Sequence, residues 1–533
     1  MTHWMIAPVV LPAMLAPLIG FVMRHDLPLA RAASFVGTLA LLVISLGLFA
    51  QAAGGDTLVY RLGDWPAPFG IVLVLDRLSA LMVLLTALLA LIVLLHVVAT
   101  GWDARGRHFH ALFQFQLMGV CGAFLTGDVF NLFVFFEILL IASYGLMIHG
   151  GGRERLRAGV QYVVFNLAGS TLFLFALGTL YASTGTLNMA DLAVRLEAMD
   201  PSQAGLVRVA AMLLMIVFAV KAALFPVQFW LPGAYANAPA PVAAMFAIMT
   251  KVGAYAILRV HTLIFGPDIA ATAGVAEAWL FPAAIVTIIV GALGVLGAKR
   301  LLPLIAFAVV GSMGTLLVAV AAFTPLATMA ALYYLVHSTF AAAALFLLAD
   351  IVLTRRGSGR LTPLPATAQN GLFAALFFGA AIAMAGMPPL SGFLGKLMVL
   401  DALRAPHQMA WAWGTILVGS LITIVGFARA GSVLFWKSTA TQPDDVNAAE
   451  LDALTPPGAG ALEVAPTLVA LTLLAGLAVM AGPLTRYFEA TGAQLYDRAG
   501  YVSAVLTPAI SAPETGDAPS DAPHSAKPHE QED

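Results

Sequence analysis

Residues 221–233 read Lys221-Ala-Ala-Leu-Phe-Pro226-Val-Gln-Phe-Trp-Leu-Pro232-Gly233, at the end of an apolar run (206–220) whose only charge is Arg208. A lysine followed by two prolines breaks a helix at a depth where lipid offers the backbone no partner. Proline there is tolerable only if other protein groups or water satisfy the freed carbonyls. The stretch therefore predicts a discontinuous helix inside a polytopic bundle. The pattern returns in Ala385-Gly386-Met-Pro388-Pro389-Leu-Ser-Gly392-Phe-Leu-Gly395-Lys396. Each break again adjoins a lysine that the apolar pattern would bury, Lys221 in the seventh span and Lys396 in the twelfth.

Outward from these two breaks the chain is lipid-compatible almost throughout. Of 533 residues, 61% are hydrophobic and 10% charged, and the mean hydropathy is +0.93, which excludes an ordinary soluble globular protein. About 14 runs of roughly 20 apolar residues follow one another, the length a helix needs to cross a bilayer. They lie near 5–23, 32–53, 78–99, 110–127, 129–148, 158–183, 206–226, 241–265, 278–297, 301–322, 326–353, 371–402, 410–436 and 464–482. The fold class expected is thus an all-α polytopic membrane protein in contact with the lipid bilayer. The first run is long enough to span and is followed by further spans, so it reads as a retained helix and not a cleaved signal. Residues 57–76 alternate apolar, Gly and Pro residues and read as a packed external loop. Asn188 to Asp200 reads as an amphipathic interfacial segment, and 511–533 as a disordered tail.

Net charge is −2, which gives no electrostatic footprint for nucleic acid. The single cysteine, Cys121, can form no intrachain disulfide or thiolate cluster. Connections between odd and even spans differ in basic content, thirteen Lys and Arg against six. The positive-inside rule then places the odd connections in the cytoplasm and both termini outside.

The chain contains six lysines, and three of them, Lys221, Lys251 and Lys396, fall inside apolar spans, as does the acid Glu137. A charge at mid-membrane costs roughly 2.5–3.5 kcal/mol on insertion scales. Such groups must face partners or water, so they mark a pathway. Glu137 has no neutralising residue within its own span, and Lys221 is the candidate partner from another helix. A packing staple is the bland alternative for that pair. Lys251 in Met249-Thr-Lys251-Val-Gly-Ala-Tyr255 and Lys396 have no evident acid partner, so each is a candidate to load and release a proton. Snorkelling to the interface is the alternative for both. His337, in Tyr333-Tyr334-Leu-Val-His337-Ser338, sits mid-span, where an imidazole is either a satisfied core group or a shuttle. Breaks in corresponding positions of two five-span stretches suggest an inverted repeat with its pathway at the discontinuous helices.

These residues resemble the antiporter-like subunits shared by respiratory complex I, membrane-bound hydrogenases and Mrp-type multisubunit cation/proton antiporters. The resemblance rests on Phe135-Phe136-Glu137, on Lys221 through the Pro-rich run to Ala244, and on Pro388-Pro389-Leu-Ser-Gly-Phe-Leu-Gly-Lys396. It extends to about Pro483. Asp64-Trp-Pro-Ala-Pro-Phe-Gly-Ile, the Lys251 stretch and a lysine at 396 look most like the D-type subunits of Mrp and Pha antiporters. The resemblance implies 14 helices, with helices 1–3 in 1–109, inverted repeats in 110–265 and 278–436, and helix 14 with a C-terminal segment in 437–510. It also implies a Glu137–Lys221 pair and a proton path through Lys251 and His337 to Lys396. The helix breaks at Pro226, Pro232, Pro388 and Pro389 belong to the same pattern. Where several relatives carry a lysine four residues after the histidine, this chain has Ala341, which leaves the central step to Lys251. The chain also ends soon after span 14, unlike the largest complex I relative with its long lateral helix.

The function expected is a membrane subunit of a Na+ or K+/H+ antiporter in a bacterial inner membrane, working beside other subunits of a hetero-oligomeric complex. No cofactor is needed for that, and catalytic and metal residues are not expected. The alternative is a proton-pumping subunit of a quinone or hydrogenase complex, in which the redox chemistry takes place in other chains. A structural scaffold is the third reading.

Overall fold

The computed structural model describes residues 2–438 and 458–507; the tail expected to be disordered lies outside the described residues. Among them, eleven helices are long and apolar enough to cross a membrane, and three shorter apolar helices, Ala7–Val22, Phe109–Leu125 and Asn370–Ala385, stand where the sequence also predicts spans. In chain order the first half comprises α1 (Ala7–Pro17), α2 (Leu27–Ala52), α3 (Arg77–Thr100), α4 (Phe109–Leu125), α5 (Val129–Met147), α6 (Arg153–Thr184), the short α7 (Met189–Glu197) and α8 (Gly205–Ala222). Then come α9 (Trp230–Asn237), α10 (Ala240–Met245), α11 (Ala247–Leu263), α12 (Glu277–Gly297), α13 (Leu301–Val320), α14 (Pro325–Arg356), α15 (Asn370–Ala385), α16 (Ser391–Ala402) and α17 (Pro406–Gly431). Helices at Ala461–Val479, Ala481–Tyr496 and Arg498–Leu506 complete the described chain.

Local chemistry sets the starts of several helices. The side chains of Asp26, Asp76, Asp128 and Thr324 each accept a hydrogen bond from the backbone N–H three residues on, which supplies one of the donors a helix start leaves unpaired. At Asp76 the Ser79 hydroxyl in turn accepts from the Asp76 N–H, closing a capping box.

The helices sort into layers by burial. In α10–α11 and in α14 every residue of the most apolar stretch is buried, whereas in α2 and in Ala461–Val479 only a third is. Outer helices expose apolar side chains such as Phe21, Leu462 and Val479, whose natural neighbours are lipid chains. The two fully enclosed helices are those that carry Lys251 and His337. Neither residue can snorkel to an interface from there, which removes that alternative for Lys251.

Three segments refine the reading of the sequence. Residues 57–76 form an antiparallel hairpin, β1 (Leu58–Arg61) with β2 (Val72–Leu75), in the register Leu58 opposite Leu75 and Arg61 opposite Val72. All four β2 side chains are buried, so the strand has no polar face, and alternation cannot announce it. Beyond Leu484 the chain stays helical: Phe488, Thr491, Gly492 and Leu495 of Ala481–Tyr496 form a buried face that packs on α14. The segment 188–200 is amphipathic as expected, but Leu192, Ala193 and Leu196 of α7 are covered by the chain itself.

The turn after α3 shows how a charge is held outside the spans. Asp103 is buried and accepts from Arg31 Nε at 2.6 Å and Nη2 at 2.9 Å, with His110 Nε2 at 3.0 Å. Burial alone would push its carboxyl up, but the hydrogen bonds from Arg31 and His110 and their charges prevail and hold it at about 2. A depressed carboxyl contributes stability that is present above its ordinary value of 3.8 and is lost as pH falls toward about 2. Asp103→Asn should therefore destabilise the purified protein at neutral pH by roughly 1–3 kcal/mol. Thermal unfolding scans should show the gap between parent and variant closing as the pH is lowered through that window; a gap independent of pH would contradict the assignment.

Candidate functional site

The first break forms where α8 ends. Lys221 lies in its last turn and Ala223 takes the left-handed conformation, φ 53° and ψ 48°, so the chain leaves the helix axis before Pro226. The exposed backbone groups find partners. Trp230 Nε1 donates to the carbonyl of Val220 at 2.8 Å, and the Phe225 N–H donates to Thr287 Oγ1 at 2.9 Å. Pro232 sits within α9, which resumes at Trp230. This is how the bundle tolerates proline at membrane depth.

Glu137 and Lys221 do not make the direct ion pair that the sequence suggests. Lys221 Nζ donates to Asn166 Oδ1 at 3.1 Å, while Glu137 Oε1 accepts from the Ser170 hydroxyl. Asn166 and Ser170 are one turn apart on a single face of α6, and both are buried. That helix is interposed between α5 and α8 as a polar bridge. The Lys221 Nζ lies 5.9 Å from the centroid of the ring of Phe136, the residue before Glu137. Sequence reasoning missed Asn166 and Ser170. Their i, i+4 spacing, which puts an amide and a hydroxyl on one face of the span, was the available signal.

Lys251 is fully enclosed, with the Met313 sulfur 3.3 Å from Nζ. Two residues on, Gly253 presses against the first break: a Cβ there would lie 2.5 Å from the backbone N of Ala222 and 2.9 Å from the carbonyl carbon of Lys221. Absence of a side chain lets the helices bearing Lys221 and Lys251 meet backbone to backbone.

The second break separates α15 from α16, with Gly386 to Leu390 between them. Here the lysine itself satisfies the broken end. Lys396 Nζ donates to the freed carbonyl of Ala385 at 2.7 Å and to Ser420 Oγ at 2.7 Å. Its surroundings form a small polar-edged cavity with Ser312, Thr315, Tyr334 and Thr423. His337 Nδ1 is 2.9 Å from Ser391 Oγ, at the first residue of α16, and its Nε2 has no partner. Tyr334, whose ring centroid lies 5.6 Å from that of His337, also lines the Lys396 cavity, as does Ser312, next in sequence to the Met313 that touches Lys251. The structure thus gathers the enclosed Lys251 and His337 with the half-buried Lys396, and sets Lys221 and Glu137 on the flank.

Gly392 lets α16 approach α14 so closely. A Cβ there would fall 2.1 Å from the Ala383 carbonyl oxygen and 2.9 Å from His337 Nε2. Gly392→Ala should push α16 away from the imidazole and cut transport at least tenfold while the other helices stay in place; measured transport equal to the parent in membranes with equal protein would show that this approach is not needed.

Arg429, also within a span, donates to the carbonyl of Ala298 at the end of α12, a structural use. Among the described residues no group of three or more His, Cys, Asp or Glu side chains is arranged to hold a metal ion.

A polytopic bundle with two broken helices and buried lysines at the breaks is the architecture of a proton-translocating membrane protein, and the comparisons with known proteins agree. The transmembrane family described as NADH:quinone oxidoreductase/Mrp antiporter matches residues 126–423, and the chain belongs to that family. It is 39% identical over 96% of its length, and 98% of the relative's, to the D-type subunit of a probable K(+)/H(+) antiporter from Rhizobium meliloti (strain 1021). To the D-type subunit of a Na(+)/H(+) antiporter from Bacillus subtilis (strain 168) it is 40% identical, covering 83% of this chain and 89% of that one. A chain of the Mrp complex from Dietzia sp. DQ12-45-1b superposes with a TM-score of 0.84 at 30% identity, over 95% of this chain and all of that one.

Proposed function

We propose that this chain is a membrane subunit of a multisubunit monovalent cation/proton antiporter, and that it moves protons through Lys251, His337 and Lys396 with Glu137 and Lys221 governing access. The observation that carries the reading is the enclosure of α11 and α14, the helices of Lys251 and His337, at the centre of the bundle beside the second break. Titratable groups so deep are costly unless they are used. A lysine that alternates between ammonium and amine carries one proton per cycle, and an imidazole between two lysines can pass it on.

Relatives named for K+/H+ and Na+/H+ exchange support antiport over the redox-driven alternative, as does the likeness to an Mrp complex chain. The subunit works beside other chains of its complex in the bilayer. In the orientation we favour, the basic odd-numbered connections face the cytoplasm of a bacterial inner membrane and both termini face outward. Helices 4–8 and 9–13 then form the two inverted halves, with the paired breaks on the pathway.

The test uses inverted vesicles carrying the full complex, with a pH gradient imposed by respiration. Adding Na+ or K+ separately should dissipate the gradient with at least one of them. No dissipation with either cation, in vesicles shown to contain the assembled complex, would overturn antiport and favour the redox-linked pump.

A further inference from the structure

One buried titratable pair takes no part in the path just described. His96, near the end of α3, and Asp350, near the end of α14, are 254 residues apart in sequence, and His96 Nε2 lies 2.9 Å from Asp350 Oδ2. The His96 side chain is 0% exposed and that of Asp350 6%, so both are buried and Asp350 lies the nearer to the surface. Trp102 Nε1 donates to both carboxylate oxygens, at 2.9 and 2.8 Å. The other imidazole nitrogen, Nδ1, is buried without a partner. An orphaned buried nitrogen is costly, and here it lies on the side of the ring away from the carboxylate.

The charged and titratable groups around the pair are few and already occupied. Arg105 stacks on the Trp102 ring at 3.7 Å and Arg155 lies 5.5 Å from it. His149 Nε2 hydrogen-bonds the Trp102 carbonyl, Asp103 is held by Arg31 and His110, and Arg355 is paired with Glu463. None of these takes the place of a partner for His96 Nδ1. Asp350 and His337 share α14, thirteen positions apart, which is about 20 Å along a helix.

We infer that His96 and Asp350 form a proton-release station at the Arg-rich end of the bundle, through which protons from the Lys251–His337–Lys396 group leave. A proton from the interior arrives on the unpartnered His96 Nδ1 as the proton on Nε2 passes to the Asp350 carboxylate. The Asp350 carboxyl then gives that proton up to water. One proton enters, one departs, and the ring remains neutral as its other tautomer, which reorientation of the imidazole resets. Two nitrogens on opposite edges make this transfer natural for histidine. The Trp102 indole holds the carboxylate in line and acts as a positioning residue. The inference rests on the antiport reading and adds to it the point of proton exit on the cytoplasmic face.

The experiment again uses the complete complex in inverted vesicles, whose exposed face is the cytoplasmic one, and follows cation-driven exchange against medium pH. Asp350→Asn keeps the size and an oxygen for Trp102 but cannot carry the proton; His96→Gln keeps a donor toward Asp350 but cannot pass one through. Both should assemble, lose at least tenfold in rate near neutral pH, and show a pH profile displaced from the parent's. Asp350→Glu should recover much of the rate. Parent-like rate and pH profile in either assembled variant would overturn the station. So would failure of both variants to assemble while Asp350→Glu assembles, since the pair would then be a staple between α14 and the Trp102 turn. Absence of exchange in the parent would overturn the antiport reading and this station with it, whereas an active parent beside an unaltered variant would overturn the station alone.

Discussion

Replacing Lys221 with alanine should reduce cation-driven proton exchange by at least a hundredfold while the complex still assembles. Lys221 is the lysine of the last turn of α8 at the first break, and its Nζ is bound to Asn166 on α6. Its removal leaves the Asn166 carbonyl oxygen unpaired, at a cost of about 1–3 kcal/mol, which a large bundle with its own helix caps can absorb. The loss to transport is larger, because Glu137 then has no opposing charge acting on it from across the bridge. Each tenfold in rate corresponds to about 1.4 kcal/mol of barrier, so a hundredfold loss asks for roughly the energy of one buried charge interaction. Lys221→Met serves as the control for volume and should be equally inactive. The bridge itself makes a further demand: Asn166→Leu should slow exchange strongly, although a direct Glu137–Lys221 contact would leave it unaffected. Transport at the parent rate in Lys221→Ala, with the complex present, would remove this residue from the coupling path.

Lys396→Arg should retain charge and hydrogen-bonding capacity yet lose most of the activity, by tenfold or more. The guanidinium can still donate toward Ala385 and Ser420, so the broken end of α15 keeps a donor. What it cannot do is become neutral, since arginine holds its proton at any physiological pH. The variant thereby separates the two roles that Lys396 combines in the structure, capping the break and carrying a proton. Lys396→Gln makes the complementary loss, with a donor but no charge. If the Arg variants at both Lys396 and Lys251 exchanged protons as fast as the parent, titration of these lysines would play no part. If Lys396→Arg were inactive and failed to assemble while Lys396→Gln assembled, bulk in the narrow cavity would be the cause. The measurement is exchange rate normalised to assembled complex, in the same vesicles.

The pathway residues were legible from the chain because membrane burial makes any charge conspicuous. Lys251 and Lys396 stand out in runs of apolar residues, and Pro226 and Pro388 mark breaks without reference to other segments. His337 was legible only beside those lysines, since a lone core histidine carries no such signal. Other features could not be read in this way. The β1–β2 hairpin hides in a proline-rich stretch because both faces of β2 are buried. The buried face of Ala481–Tyr496 that covers α14 is interleaved with polar residues and forms no continuous apolar run. The expected contact between Glu137 and Lys221 is replaced by Asn166 and Ser170, ordinary polar residues whose importance depends on which way α6 faces.

The helical, membrane-spanning character of the chain and its mid-span lysines with Glu137 followed from the sequence by itself, because a lipid-spanning helix satisfies its own backbone and needs only a sufficient run of apolar side chains. Which charges meet was decided by the tertiary structure alone. Asn166 reaches Lys221 across 55 positions, and His96 reaches Asp350 across 254. Such contacts depend on the rotation and spacing of whole helices, set in turn by close approaches such as that of Gly253 to Lys221 and of Gly392 to His337. A side-chain hydrogen bond spans about 3 Å, far less than the diameter of a helix, so a small turn of one span exchanges every partner it has.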